Sequence, residues 1–266
     1  MKRDTGFLER DGERIYFECA GAGLPLVLTH GAGGNHAVWF EQVPQFVKSR
    51  RVVLWDQRGF GRSTARGGAN TPQRAAADLA ALLDRLGIAR ADLVGQSMGG
   101  WAVLGLALAE PERVRSLVLA DTPGGIDTPE LRASWANVAN GGGFATHELG
   151  RHPAVAPDFF DRQPARAVLY QQLGGFGEPK LADVLPSLVA TRHDTAALAK
   201  LACPVLLIVG AVDGLFSPEV IAASAKQLPP ACRARVAVIP RAGHSPYFEE
   251  PAEWNRIVVE FLASVD

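Results

Sequence analysis

Six short apolar runs set the layout of this chain: Pro25–Thr29, Arg51–Trp55, Asp92–Gly95, Arg115–Ala120, Pro204–Val209 and Arg235–Ile239. Each is too brief for a buried helix. Val, Leu and Ile follow one another in them with little polar alternation, as in strands covered on both faces of a parallel sheet. Helical patterns lie between the runs. Thr71-Pro72 opens one, whose stripe of Asp78, Leu79, Leu82, Leu83 and Leu86 ends at Gly87. Met98–Glu110 is a second, stopped by Pro111; Ser217-Pro218 opens a third, and Pro251 opens the last, which runs to Leu262. Strands alternating with helices make βαβ units, so the predicted class is α/β with a mostly parallel sheet. Ahead of the first run, the Asp11-Gly12 turn followed by Arg14–Cys19 reads as an opening hairpin.

The alternation lapses between Asp121 and Asp194. Glycine clusters at Gly141-Gly142-Gly143 and Gly174-Gly175 interrupt the helical stretches Pro129–Asn140 and Pro164–Leu173. A structureless connection of that length is disfavoured in a compact domain, so the segment is expected to form helices above the sheet's carboxyl edge. The expected organisation is one core of residues 1–122 and 195–266, interrupted by a helical insertion at 123–194.

At 266 residues, 47% hydrophobic and 21% charged, the chain can bury one extended core of this kind. Its formal net charge of -1, with no polybasic block, gives no electrostatic footprint for nucleic acid or an anionic membrane. The three cysteines, Cys19, Cys203 and Cys232, are scattered and fit neither a disulfide framework nor a zinc motif. Asp4, Glu9, Arg10 and Asp11 stand where a secretory leader would need an apolar stretch. The run Trp101–Ala109 falls short of a membrane span, and a cytoplasmic location is the expectation.

Gly95-Gln96-Ser97-Met98-Gly99-Gly100 joins a strand directly to a helix through a serine. Such a turn is so tight that glycine two residues before and after the serine relieves clashes and pushes the hydroxyl out above the sheet. The following helix aims its N-terminus at the same place, so the amide of Met98 is a candidate donor to a negative oxygen. An ordinary turn built from small residues is the plainer reading, and the strand–turn–helix context weighs against it. His30-Gly31-Ala32-Gly33-Gly34, directly after the run Pro25–Thr29, is a second loop whose amides are free to face a ligand. A dinucleotide fingerprint is the rival there, with Asp56 near the ribose-binding distance. It fails because the pattern needs glycine at position 36, which is His36, and because a hairpin precedes the strand.

A nucleophilic serine needs a base and an orienting acid. Among six histidines, His244 follows the last apolar run and precedes the last helix, and Asp213 follows the run Pro204–Val209. Both therefore fall at the carboxyl edge of the sheet, in the order Ser97, Asp213, His244. Asp121 competes for the acid role, but as a strand-end residue it reads as a cap for the insertion. His30, His36 and His193 read as supports, His147 and His152 lie in the insertion, and no cluster has metal-ligand spacing. Asp56 to Ser63 is charged, yet its place after a strand and its two glycines indicate a structural turn.

His30-Gly31, Asp56-x-Arg58-Gly59-x-Gly61-x-Ser63, Gly95-x-Ser97-x-Gly99-Gly100, Gly210-x-x-Asp213 and Gly243-His244 together resemble the α/β-hydrolase superfamily, most of all bacterial carboxylesterases and 3-oxoadipate enol-lactonases. The resemblance implies an eight-stranded, mostly parallel sheet flanked by helices, with a helical cap after the sixth strand. It also implies that Ala32 supplies the second oxyanion amide beside Met98. The chemistry expected is hydrolysis of small-molecule esters or lactones through an acyl-enzyme, which requires no metal or organic cofactor. Carbon–carbon bond hydrolysis and perhydrolysis use the same triad and stay open, as does a ligand sensor with a residual site. Relatives that cleave carbon–carbon bonds often carry an aromatic residue after the histidine, where this chain has Ser245. Trp135, Phe144 and Tyr170 are the candidate substrate-lining residues of the cap, with Phe159, Phe160 and Phe176 as further aromatics there.

Overall fold

The computed structural model describes residues 2–66, 70–139, 148–175 and 181–266. Strands β1 (Arg3–Arg10) and β2 (Glu13–Gly21) form the opening hairpin, turned at Asp11 and Gly12, whose φ values of 52° and 76° suit a tight two-residue loop. β3 (Leu24–Thr29), α1 (Val43–Phe46), β4 (Arg50–Trp55), α2 (Pro72–Arg85), β5 (Ala91–Gln96), α3 (Met98–Ala109) and β6 (Val114–Ala120) follow. Next come α4 (Pro129–Ala139), α5 (Phe159–Arg162), α6 (Pro164–Gly174) and α7 (Leu181–Ala190), which make the cap. The chain closes with α8 (Thr195–Leu198), β7 (Val205–Gly210), α9 (Pro218–Gln227), β8 (Arg235–Ile239), α10 (Pro246–Glu249) and α11 (Pro251–Ala263).

The eight strands lie in the order β1-β2-β4-β3-β5-β6-β7-β8. β2 pairs antiparallel with both neighbours, and every pairing from β4 to β8 is parallel. From β3 the chain steps outward to β4, then returns across β3 to β5 and proceeds the other way. The strand order therefore reverses between β3 and β5, where a crevice opens at the carboxyl ends. Alternate residues face the two layers. Val27 and Val53 enter the core under α2 and α3, whereas Leu26, Leu28, Val52 and Leu54 enter the core under α11.

At the opposite, amino edge the sheet is fastened by charge. Asp92, 1% exposed, accepts from Arg50 Nη1 (3.2 Å), Arg115 Nε (3.1 Å) and Ser116 Oγ (2.6 Å), and both arginines also reach Asp266.

One strand departs from its pattern. Arg235–Ile239 has the composition of a two-sided buried strand, but β8 is the sheet's edge, with Val236 and Val238 41% and 47% exposed. Composition records apolarity; whether a further strand lies alongside is decided elsewhere in the chain. In the cap, Pro129–Ala139 and Pro164–Gly174 match the two expected helical stretches, and α5 and α7 are additional.

Replacing Asp92 by alanine removes the buried partner of Arg50 and leaves its guanidinium only Asp266 at the surface. Losing a buried partner outright costs about 3–5 kcal/mol, which is the upper bound here. A urea denaturation series should show the midpoint of Asp92→Ala lowered accordingly, with an unchanged slope.

Candidate active site

Ser97 is the hinge between β5 and α3. Its φ of 48° and ψ of -120° lie in a region that side-chain-bearing residues rarely occupy. The surroundings enforce it. Ser97 N–H donates to Ala120 O at 2.9 Å on β6, and Gly100 N–H donates to Ser97 O at 2.9 Å. α3 leaves the turn so close to the sheet that a Cβ on Gly95 would sit 2.5 Å from Gly99 O, and one on Gly99 2.5 Å from Thr29 O. Only glycine permits that approach, and the result is a half-buried serine projecting at the switch point.

His244 arrives on the loop between β8 and α10, and Asp213 on the loop after β7. His244 Nε2 is 2.8 Å from Ser97 Oγ, and His244 Nδ1 is 2.8 Å from Asp213 Oδ2. An ionised carboxylate can only accept, so Nδ1 carries the proton and the Nε2 lone pair faces the serine hydroxyl. The other oxygen of Asp213 accepts from the amides of Leu215 (2.8 Å) and Phe216 (3.0 Å), which fixes its orientation. Both groups are buried, at 4% and 3% exposure, and the ring of Phe216 packs edge-on against His244 at 5.7 Å. Gln96, next to the serine, donates from Nε2 to His244 O at 2.9 Å.

Two amides border the serine. Met98 is the first residue of α3, so its N–H has no carbonyl one turn back within the helix to bond. Ala32 lies in the turn closed by Gly34 N–H on Gly31 O at 3.1 Å, which leaves its own N–H outside that bond. The loop abuts the serine: a Cβ on Gly31 would stand 2.9 Å from Ser97 Cβ.

Asp121 is fully buried at the end of β6, with φ at 51°. Its Oδ1 accepts from Gly210 N–H at 2.9 Å, at the end of β7, so it ties two strands together instead of capping the insertion. Burial, and then the charge of Asp213, push its carboxyl well above the usual range. With Asp121 turned to Gly210, Asp213 is the acid that meets His244.

His30 donates from Nδ1 to Gly31 O (2.7 Å) and accepts at Nε2 from Gln57 N–H (3.0 Å), which stiffens its own loop. Asp56 binds the amide of His36 (2.6 Å), the ring of His36 (2.8 Å) and the amide of Arg62 (2.8 Å). Burial works against its ionisation, but the His36 bond and the neighbouring charges outweigh it and hold the carboxyl below its usual range. With Arg58 paired to Asp78 at 2.7 Å, the Asp56–Ser63 segment is the structural turn expected of it.

The cap aromatics stand one step from the serine. Trp135, 8% exposed, packs against Trp101 (5.9 Å) and Phe216 (5.2 Å), so it backs the ring that touches His244. Tyr170 exchanges a hydrogen bond with Ser245 Oγ at 2.7 Å and packs against Phe248 and His152. Phe144, Phe176 and His147 lie outside the described residues. Phe159 is buried in the second core, whereas Phe160 joins Arg151, His152, Val155, Val212 and Gly214 around a cavity of about 540 Å³ beside Asp213. His152 is held neutral there: burial, and then the proximity of His244, lower it to about 4.

Two supports were not legible in advance. Gln96 sits in the serine motif as one of its unspecified positions, and Glu249 stands in no motif of the sequence. Glu249 Oε1 accepts from Gly243 N–H (2.9 Å) and Ser245 N–H (3.2 Å), and Oε2 accepts from Ala156 N–H (2.7 Å) in the cap. A side chain bound to backbone amides leaves no signature in residue spacing. Among the described residues, no helix is long and apolar enough to cross a membrane.

Residues 25–142 match the family model described as the alpha/beta hydrolase fold. The chain is 30% identical over 277 residues to 2-hydroxymuconate semialdehyde hydrolase of Pseudomonas sp. (strain CF600), covering 96% of this chain and 92% of that one. A thermophilic esterase from Thermogutta terrifontis superposes with a TM-score of 0.81 at 29% identity, over 100% of this chain and 99% of that one. The enol-lactonase from Burkholderia xenovorans LB400 superposes with a TM-score of 0.80 at 25% identity, over 97% of this chain and 100% of that one.

The crowding around the serine turn is directly testable. Gly99→Ala forces its methyl against Thr29 O and His30 O, backbone atoms that cannot yield cheaply. The expected outcome is a thermal midpoint lowered by several degrees, roughly what a loss of 1–3 kcal/mol produces in a domain of this size. Differential scanning calorimetry against Gly105→Ala, on the same helix with only the Ala76 methyl at 3.1 Å, supplies the control.

Proposed function

Because this chain belongs to the α/β-hydrolase fold family, we propose that it is a serine hydrolase that cleaves small-molecule carboxylic esters or lactones. The observation that carries the reading is the continuous line Ser97 Oγ, His244, Asp213, with both links at 2.8 Å and the serine on a strained turn at the sheet's switch point. His244 Nε2 takes the hydroxyl proton as Ser97 Oγ attacks the carbonyl carbon. Asp213 holds the ring in the required tautomer and stabilises the imidazolium that forms. The amides of Met98 and Ala32 receive the developing oxyanion, each such donor being worth roughly 3–4 kcal/mol. The imidazolium returns its proton to the leaving alkoxide, and the alcohol departs. In a lactone that group stays tethered to the acyl chain. Water, deprotonated by the same ring, then attacks the acyl-enzyme; the acid leaves and Ser97 regains its hydrogen.

Likeness to an esterase and an enol-lactonase supports the choice of ester or lactone carbonyl. A second reading, hydrolysis of a semialdehyde of the 2-hydroxymuconate kind, is favoured by the likeness to that hydrolase. The cap divides from the core at 123–194 in this proposal, and its inner surface sizes the substrate.

Purified protein assayed on p-nitrophenyl esters and simple lactones should turn over, and Ser97→Ala should lose on the order of 10⁴–10⁶ in kcat. Activity that survives the substitution rules out Ser97 as nucleophile. Folded wild type that ignores every ester and lactone but consumes 2-hydroxymuconate semialdehyde establishes the second reading in place of the first.

A further inference from the structure

Glu249 is 3% exposed at the end of α10, and no arginine or lysine side chain among the described residues pairs with it. Arg162, the nearest cation on the cap side, is committed to Asp158 (3.0 Å) and Glu250 (2.8 Å). Three peptide N–H groups hold the carboxylate instead. Two belong to Gly243 and Ser245, the residues on either side of His244, and both meet Oε1. The third belongs to Ala156 and meets Oε2 at the shortest distance of the three, 2.7 Å. Glu249 N–H in turn donates to Ser245 O at 2.9 Å, so the side chain and its own backbone grip the histidine loop together. The cap segment at Ala156 is pressed onto that loop: a Cβ on Gly243 would stand 2.5 Å from Ala156 N.

We propose that Glu249 is a positioning residue that locks the His244 loop to the cap segment at Ala156, so that the seating of the cap sets the aim of the base. The inference rests on His244 being the base of the proposed triad. One carboxylate spans both parts, and its two oxygens are divided between them. A shift of the cap at Ala156 therefore pulls on the amides that flank His244.

The charged and titratable groups facing Glu249 are Asp121 after β6, Arg162 and Tyr170 from the cap, and Tyr247 from its own helix α10. Burial raises the carboxyl, the three N–H bonds oppose this, and the balance lies at about 7. Above that pH an anion accepts all three bonds; below it, a protonated oxygen gives up part of the grip. The folded-state value exceeds the ordinary 4.5, so this group's contribution to stability falls as pH rises between about 4.5 and 7 and is constant above. Weaker positioning below 7 is therefore not a consequence of unfolding.

The test is the second-order rate at which a fluorophosphonate labels Ser97 in the intact protein, compared for wild type and Glu249→Gln from about pH 6 to pH 8.5. The amide cannot accept on both sides, so labelling at about pH 8 should slow on the order of 10- to 100-fold. The gap should close towards unity near pH 6, where wild-type Glu249 is itself protonated. A variant within about twofold of wild type at pH 8, or a gap that stays constant with pH, overturns the inference alone. Wild type that resists the probe overturns the triad assignment and the inference with it. Should the variant fail to fold, hydrogen exchange on wild type decides, corrected for intrinsic rates. Protection at Ala156 and at residues 243–245 should fall together from pH 8 to pH 6, and independent changes overturn the coupling.

Discussion

The approach of α3 to the sheet governs everything above it. Gly95 and Gly99 let the helix backbone pass within contact distance of β5 and of Thr29 at the end of β3, and Ser97 is left in a conformation that pays for that closeness with local strain. Nearly all of α3 is buried, so the packing that holds the turn in place extends over three turns of helix. The strain cannot relax without withdrawing Trp101, Val103 and Leu104 from the core. With the serine fixed, the loop after β3 lies on one side of it and the loops after β6, β7 and β8 on the other. Each of them adds a group at a distance determined by parallel strand spacing.

Much of this was legible in the sequence, and the exceptions have a common cause. β3 to β7 were legible because burial on both faces removes polar residues from successive positions, a local signal. β8 carries the same signal and yet lies at an edge, since the missing neighbour is a property of the whole sheet. α7 escaped notice because Pro186 interrupts its pattern, and α5 because one turn is too short to show a period. Ser97, Asp213 and His244 were found by order and by their places after apolar runs, and the structure brings the three together. Asp121 also falls between Ser97 and His244, so order does not separate it from Asp213, and the physical reason for the choice lies in the fold. Asp121 turns its carboxyl towards Gly210 in a dry niche beside another acid, and only the fold shows this. Gln96 and Glu249 bond to backbone, which any sequence possesses, so nothing in the spacing of residues could announce them.

The cap participates in the site mainly through what it supports. Tyr170 holds Ser245, Trp135 backs Phe216, and Ala156 meets Glu249, so three separate contacts converge on the residues around His244. Aromatic residues in such a segment look like the lining of a pocket. Trp135 packs on Phe216 and Tyr170 bonds Ser245, while His152, Val155 and Phe160, with Arg151, Val212 and Gly214, are among the residues lining the cavity beside Asp213. His152, held neutral, stands in a wall that also carries the charged Arg151 and Glu148.

The position of β8 has a consequence for how such a molecule fails. The serine hangs from a strand flanked on both sides, whereas its partner 147 residues away hangs from the outermost one, bonded along a single edge. Local opening in proteins begins at elements held by the fewest neighbours. Warming should therefore release the last strand and its histidine while β3, β5 and β6 still form a sheet. The contact between Ser97 and His244 would be lost before the molecule unfolds. The same asymmetry runs through synthesis: Ser97 emerges from the ribosome well before His244. The Ser97–His244–Asp213 line is therefore the last feature the chain completes and the first it gives up.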